Sequence, residues 1–200
     1  EIFYGKIAGV EGFEREVAIK KMLPHLSADR DFINMMIKEA KLTVLLNHPN
    51  IVQVYDFGTE GGLAYIVMEF IQGRELKDRF EAKERFDLKT IFRVMAELLD
   101  ALDFAHEAGI IHRDVKPANV MIDAAGHAKL TDFGVARVAE PEGDQAERTK
   151  VGTVVGTPSY MSPEQIQGQP IDRRTDVFSA GILFYELLTG QKPFEGTQWS

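Results

Sequence analysis

The chain has 200 residues, 44% of them hydrophobic and 27% charged, an ordinary balance for a globular protein with a sizeable core and room for two lobes. Its formal net charge of −8 argues against non-specific nucleic-acid binding, which needs cations to displace the counterions around phosphates. Cysteine is absent, which excludes a disulfide framework and a thiolate metal site, and the longest apolar run, Ala180–Tyr185, is far too short to span a bilayer. No repeat, low-complexity tract or signal peptide is visible, and Glu1 is not an initiator Met, so the chain is expected to begin inside a larger protein.

In chain order, Ile2–Ala8 and Glu16–Met22 read as strands joined through a hairpin connection at Gly9–Gly12. Ala28–Leu46 reads as a helix capped by Ser27 or Asp29, with Phe32, Met36 and Leu42–Leu46 on its buried side and Pro49 ending it. Ile51–Phe57 and Leu63–Phe70 are apolar strands around a Gly61-Gly62 turn. After Gly73 the period changes. Leu88, Ile91, Phe92, Met95, Leu98, Leu99 and Leu102 follow helical spacing, and Gly109 is the predicted C-cap. Short strands are predicted near Val120–Ile122 and Ala128–Thr131. The polar stretch Glu140–Thr149 reads as a loop, and Asp176–Leu188, apolar on nearly all sides, as a buried helix.

Two short motifs carry chemistry. The first is His112-Arg113-Asp114-Val115-Lys116-Pro117-Ala118-Asn119, and the second is Asp132-Phe133-Gly134. The five fixed identities of the first arise by chance on the order of once in a few million start sites. Phosphoryl transfer needs cations against the transferring oxygens and an acceptor held in line. Asp132 and Asn119 are hard oxygen ligands of the kind Mg²⁺ prefers, Asp114 can accept or orient a hydroxyl proton, and Lys116 offers a cation to the phosphate. Singly, each residue would be read as part of a solvated surface turn; the order and spacing of the pair argue otherwise.

The two motifs resemble the catalytic loop and metal-binding turn of the protein kinase family. That resemblance implies an α+β, bilobal fold: a small antiparallel β lobe with one helix over residues 1–71, then a larger, mainly helical lobe over residues 72–200, with the hinge near Glu69–Gly73. It implies ATP and Mg²⁺ as cofactors and protein hydroxyls as acceptors. Val17-Ala18-Ile19-Lys20 lies on a predicted strand, so Lys20 is implied to hold the α- and β-phosphates, with Glu39 as its acidic partner. Tyr65–Phe70 resembles the strand entering the hinge. Backbone groups of Glu69 and Ile71 are then implied on the adenine edge, Met68 at the back, Ile2, Ala18 and Met121 around the ring, and Glu75 on the ribose. For these apolar residues an ordinary core role competes, most seriously at Ile2 and Met121.

The segment Asp132–Glu164 resembles the family's activation segment. Thr157 is implied to bond Asp114 and Lys116, Glu164 to lie at the substrate-docking end, and Ser162 to stand where Ala is commoner. Thr149 first, and Thr153 second, are candidate phosphorylation sites whose phosphate would pair with Arg113. Asp176 is implied to hold the catalytic-loop backbone near His112 and Arg113, a supporting role. Lys116 and Gly156-Thr157-Pro158 resemble the serine/threonine branch. His48-Pro49-Asn50-Ile51-Val52 and Ser162-Pro163-Glu164-Gln165 are most similar to bacterial kinases of eukaryotic type.

Three departures from the family pattern stand out. The glycine-rich phosphate loop is missing, since Glu1–Gly5 looks like the sequence just past it. The family's last helices, and the Arg that normally pairs with Glu164, are also missing. Thr43 stands one turn past Glu39, where the family usually has a large apolar residue stacking with Val54, Phe133 and His112. The expectation is a serine/threonine kinase domain, incomplete at both ends and weakly active or inactive alone. The alternatives are a pseudokinase-like interaction module and a small-molecule kinase, the latter disfavoured by the activation segment. Location is expected to be cytoplasmic, with membrane tethering of the parent protein outside this segment left open, no membrane or nucleic-acid contact in this segment and possible kinase–kinase contact for autophosphorylation.

Overall fold

The computed structural model describes residues 1–9, 12–22, 43–133 and 158–194. Strands β1 (Ile2–Ala8), β2 (Glu14–Lys21), β3 (Val54–Glu60) and β4 (Leu63–Glu69) form an antiparallel sheet in the order β1-β2-β4-β3. The register sets Tyr4 opposite Ala18, Ala18 opposite Met68, and Lys20 opposite Ile66. Because side chains alternate across a strand, Ala18 and Lys20 share one face of β2. Beneath the sheet, Met22, Val52, Ala64, Ile66, Met68 and Ile71 form a buried cluster, and Ala18, Val54, Phe57 and Met121 pack on it.

Beyond this sheet come β5 (Gly73–Glu75), α1 (Leu76–Glu81), α2 (Leu88–Glu107), β6 (Val120–Asp123), β7 (Ala128–Leu130), α3 (Pro163–Ile166) and α4 (Arg174–Thr189). The three short strands form a second antiparallel sheet, β5-β6-β7. Gly73 is required there, because a Cβ would lie 2.3 Å from the Ile122 carbonyl oxygen. Helix α2 starts at Asp87, whose carboxylate accepts from the Thr90 N–H at 2.7 Å. Its Ile91, Val94, Met95, Leu98, Ala101, Leu102 and Ala105 recur at intervals of three and four and are all buried. Burying a Leu- or Ile-sized side chain of that stripe is worth about 1.5–3 kcal/mol. The cap residue is Ala108, and Gly109 follows it at φ 75°, the left-handed position that favours glycine.

The sequence expectations needed adjustment at several elements. β2 begins two residues earlier than expected. The third strand runs Val54–Glu60 rather than Ile51–Phe57, because the chain before it pairs elsewhere: the Val52 N–H donates to Leu130 O, and the Leu130 N–H to Asn50 O. Residues 50–52 therefore tie the small sheet to β7. Elements β5, α1 and α3 were not anticipated. Helix α4 is not apolar-buried all round, since Val177, Tyr185 and Leu188 are exposed. Of the expected helix at 28–46, residues 28–42 lie outside the described residues, as do Val10 and Glu11 of the first hairpin and the loop at 140–149. No helix among the described residues is long and apolar enough to cross a membrane.

Candidate active site

The catalytic-loop segment 112–119 runs from the turn after α2 into the 3₁₀ turn Pro117–Asn119 that opens β6. Asp114 is its centre. The Lys116 ammonium lies 2.6 Å from Asp114 Oδ2. The Asn119 amide nitrogen donates to Asp114 O at 2.8 Å and to Asp114 Oδ2 at 2.9 Å, leaving the amide carbonyl oxygen as an acceptor. The Thr131 N–H donates to Asn119 O at 3.0 Å, which brings Asp132 alongside the loop. Asp132 Oδ1 lies 2.6 Å from the Lys20 ammonium on β2, with both side chains about three-quarters buried. Thus Lys20, Asp114, Lys116, Asn119 and Asp132 form one connected set. Asp132 (φ 64°) and Arg113 (φ 69°) both hold left-handed backbone, which costs a non-glycine residue about 1–2 kcal/mol.

Asp176, fully buried at the start of α4, organises the loop from behind. Its Oδ2 accepts from the His112 N–H at 2.8 Å and its Oδ1 from the Arg113 N–H at 2.7 Å. His106 Nε2 contacts Oδ2 at 2.7 Å. His112 accepts the Asp114 N–H at Nδ1 (3.2 Å), so its Nε2, 2.9 Å from Thr131 O, is the nitrogen that donates. The His112 ring also meets Phe133 edge-on at 4.6 Å between centroids. Buried Thr43 lines a cavity of about 20 Å³ with Val52, Val54, Ile66, Met68, Asp132 and Phe133. Thr43, Val54 and Phe133 share this lining, whereas His112, the fourth residue the resemblance groups with them, touches Phe133 without lining the cavity.

The residues expected around a flat heterocycle also converge. Ala18 and Met121 pack on one cluster with Met68 and Ile71, and Glu75 sits opposite Met121 in the second sheet. Ile2 is more peripheral, at 65% exposed. The Glu69 N–H already donates to Gln53 O at 2.8 Å, so of its backbone groups only the carbonyl can serve an adenine edge. The Glu69 carboxylate is 2.7 Å from the Lys129 ammonium. Glu75 has its pKa raised, chiefly by burial and then by Asp78, with Asp132 adding to the shift.

At the other end, Glu164 Oε1 accepts from the Thr175 hydroxyl at 2.6 Å, and that bond leads in holding its pKa below the usual carboxylate range. Ser162 is more than a tolerated replacement for Ala. It is fully buried and is the N-cap of α3, in a reciprocal capping box with Gln165. Three further side chains escaped the sequence analysis: His106, Gln165 and Glu186. Gln165 Nε2 donates to Arg113 O at 2.7 Å. The buried Tyr160 hydroxyl donates to the Glu186 carboxylate, and burial, then that bond, raises the phenol's pKa. A buried Asp176 needing donors was the one available signal for His106; the other two carried none. Glu39, Gly134, Thr149, Thr153 and Thr157 lie outside the described residues.

Comparison with known proteins gives a consistent result. The protein kinase domain family pattern matches residues 6–200. The serine/threonine-protein kinase PknB of Mycobacterium tuberculosis is 44% identical over 91% of this chain and 29% of its own length. The tyrosine-protein kinase MasK of Myxococcus xanthus is 40% identical over 97% of this chain and 31% of its own length. The crystal structure of the Mycobacterium tuberculosis PknI kinase domain superposes with a TM-score of 0.73 at 26% identity, covering 95% of this chain and 70% of that one. The chain therefore spans about a third of the length of these curated relatives.

Proposed function

Because the chain belongs to the protein kinase domain family, we propose that the protein containing it transfers the γ-phosphate of ATP to serine and threonine hydroxyls of other proteins. The observation that carries this reading is the connected set of Lys20, Asp114, Lys116, Asn119 and Asp132. The donor set fits the magnesium nucleotide. Asp132 and the Asn119 carbonyl oxygen are hard donors, too few to cage a metal alone, as expected where nucleotide phosphates and water complete the shell. When bound, Mg²⁺ neutralises charge on the phosphate oxygens.

The chain's own residues have distinct parts in this reading. Ala18, Met121 and Ile2 cover the adenine, Met68 lies behind it, the Glu69 carbonyl and Ile71 backbone meet its edge, and Glu75 meets the ribose. Lys20 moves from Asp132 onto the α- and β-phosphates, with Glu39 as its other partner. Asp114 orients the acceptor hydroxyl and takes its proton, and Lys116 turns its ammonium to the transferring phosphate. The N-terminal lobe is assigned to residues 1–71 and the C-terminal lobe to 72–200. The Arg113 guanidinium Nε is buried without a partner among the described residues, which supports Arg113 as the receiver of a phosphate on Thr149 or Thr153. A cytoplasmic location for the kinase domain is part of this reading.

Incubation of the full-length protein with labelled ATP, Mg²⁺ and a generic protein substrate tests the function. Phosphoserine and phosphothreonine are expected in the substrate, and phosphate on Thr149 or Thr153 in the protein itself. Phosphotyrosine alone would reassign the acceptor toward the class named for MasK, and no transfer at all would leave a non-catalytic interaction module.

A further inference from the structure

Asp114 is only as well placed as the peptide that carries it. The Arg113–Asp114 peptide is gripped at both ends. Its N–H donates to His112 Nδ1 at 3.2 Å, and its carbonyl accepts from Gln165 Nε2 at 2.7 Å. Arg113 supplies the φ of 69° that turns this peptide, an unfavourable conformation that persists only where its surroundings hold it. Asp176 fixes the two preceding N–H groups. Gln165 is the sole holder of the carbonyl end among the described residues, and it reaches across from α3.

The other half of the Gln165 amide is also committed. Its Oε1 accepts from the Ser162 N–H at 2.9 Å, which closes the capping box. A capping box needs only an acceptor at this position, and glutamate serves it as well as glutamine, with a charge that suits a helix start. A carboxylate has no proton for the Arg113 carbonyl. Only glutamine satisfies Ser162 and Arg113 together.

We propose that Gln165 is a positioning residue for phosphoryl transfer: through the Arg113 carbonyl it sets the peptide that bears Asp114, and so couples α3 to the catalytic loop. This rests on the kinase function proposed above. The Q165E variant separates positioning from capping, because it keeps the acceptor toward Ser162 and loses the donor toward Arg113. In the full-length protein, Q165E should melt a few degrees below wild type, because the Arg113 carbonyl loses its donor, but above Q165L, because the cap on Ser162 is kept. Its kcat per nucleotide-binding site, counted by ADP titration, should fall about tenfold, with KM for ATP within about twofold. The deficit should shrink as the pH is lowered and the introduced carboxyl gains a proton it can donate. Q165L, which removes both bonds, should lose as much kcat and also melt earlier.

A Q165E kcat per site equal to wild type, whatever its melting temperature, overturns the proposal and leaves Gln165 as a cap. A wild type that binds ADP yet transfers no phosphate contradicts the kinase function instead, so the two failures are distinguishable.

Discussion

Asp114 and Asp176 are held by opposite means. Asp114 is partly open and faces the Lys116 ammonium and the Asn119 amide, whereas Asp176 is sealed from solvent and faces three donors. Truncating a buried carboxylate strands the groups that bonded it, so Asp176→Ala should cost about 3–5 kcal/mol in denaturant unfolding. His106→Ala leaves both backbone donors on Asp176 and should cost only about 1–3 kcal/mol. Equal losses would show that His106, rather than the backbone, is the main partner. Glu75 gives a prediction of the reverse sign. Burial raises its pKa, so in the folded state its ionised form is the disfavoured one. The native state then takes up a proton before the unfolded chain does as pH falls. Glu75→Gln should therefore melt slightly above wild type at neutral pH. That advantage should disappear as pH drops through the raised value to the ordinary carboxylate value. The same change should weaken ADP binding if Glu75 meets the ribose. A melting difference independent of pH would contradict the electrostatic account.

At the scale of elements, the sequence exposed what periodicity and motif encode. β1 and β4 were legible because apolar alternation sits between turn residues, and α2 because its apolar stripe recurs over five turns. The start of β3 was not, because Ile51 and Val52 are as β-prone as the strand they precede and only the partner, β7, decides where they pair. The site divided similarly. Asp114, Lys116, Asn119 and Asp132 were legible from fixed spacing. His106 and Gln165 act through contacts 70 and 52 residues apart, which no local pattern reports. Thr43 was noticed as a departure, and it lines the space beside Phe133. Filling that space with Thr43→Leu should brace the contact of β3 and β4 with Phe133 and raise kcat by about twofold. An unchanged or lower kcat in the full-length protein would count against that.

For the whole molecule, the arrangement is a small sheet and a larger helical body joined through residues 50–52, the segment 69–73 and the Lys20–Asp132 ion pair. Nucleotide would enter at that junction, while Asp114 works from the larger body, so binding and transfer are separable by mutation. Asp114→Asn tests the central claim most directly. In the full-length protein, this variant should bind ADP and Mg²⁺ with an affinity within about threefold of wild type and lose transfer to protein by about a thousandfold or more. Transfer that survives at near wild-type rate would show that Asp114 does not serve the acceptor hydroxyl, and the mechanism built on it would be wrong.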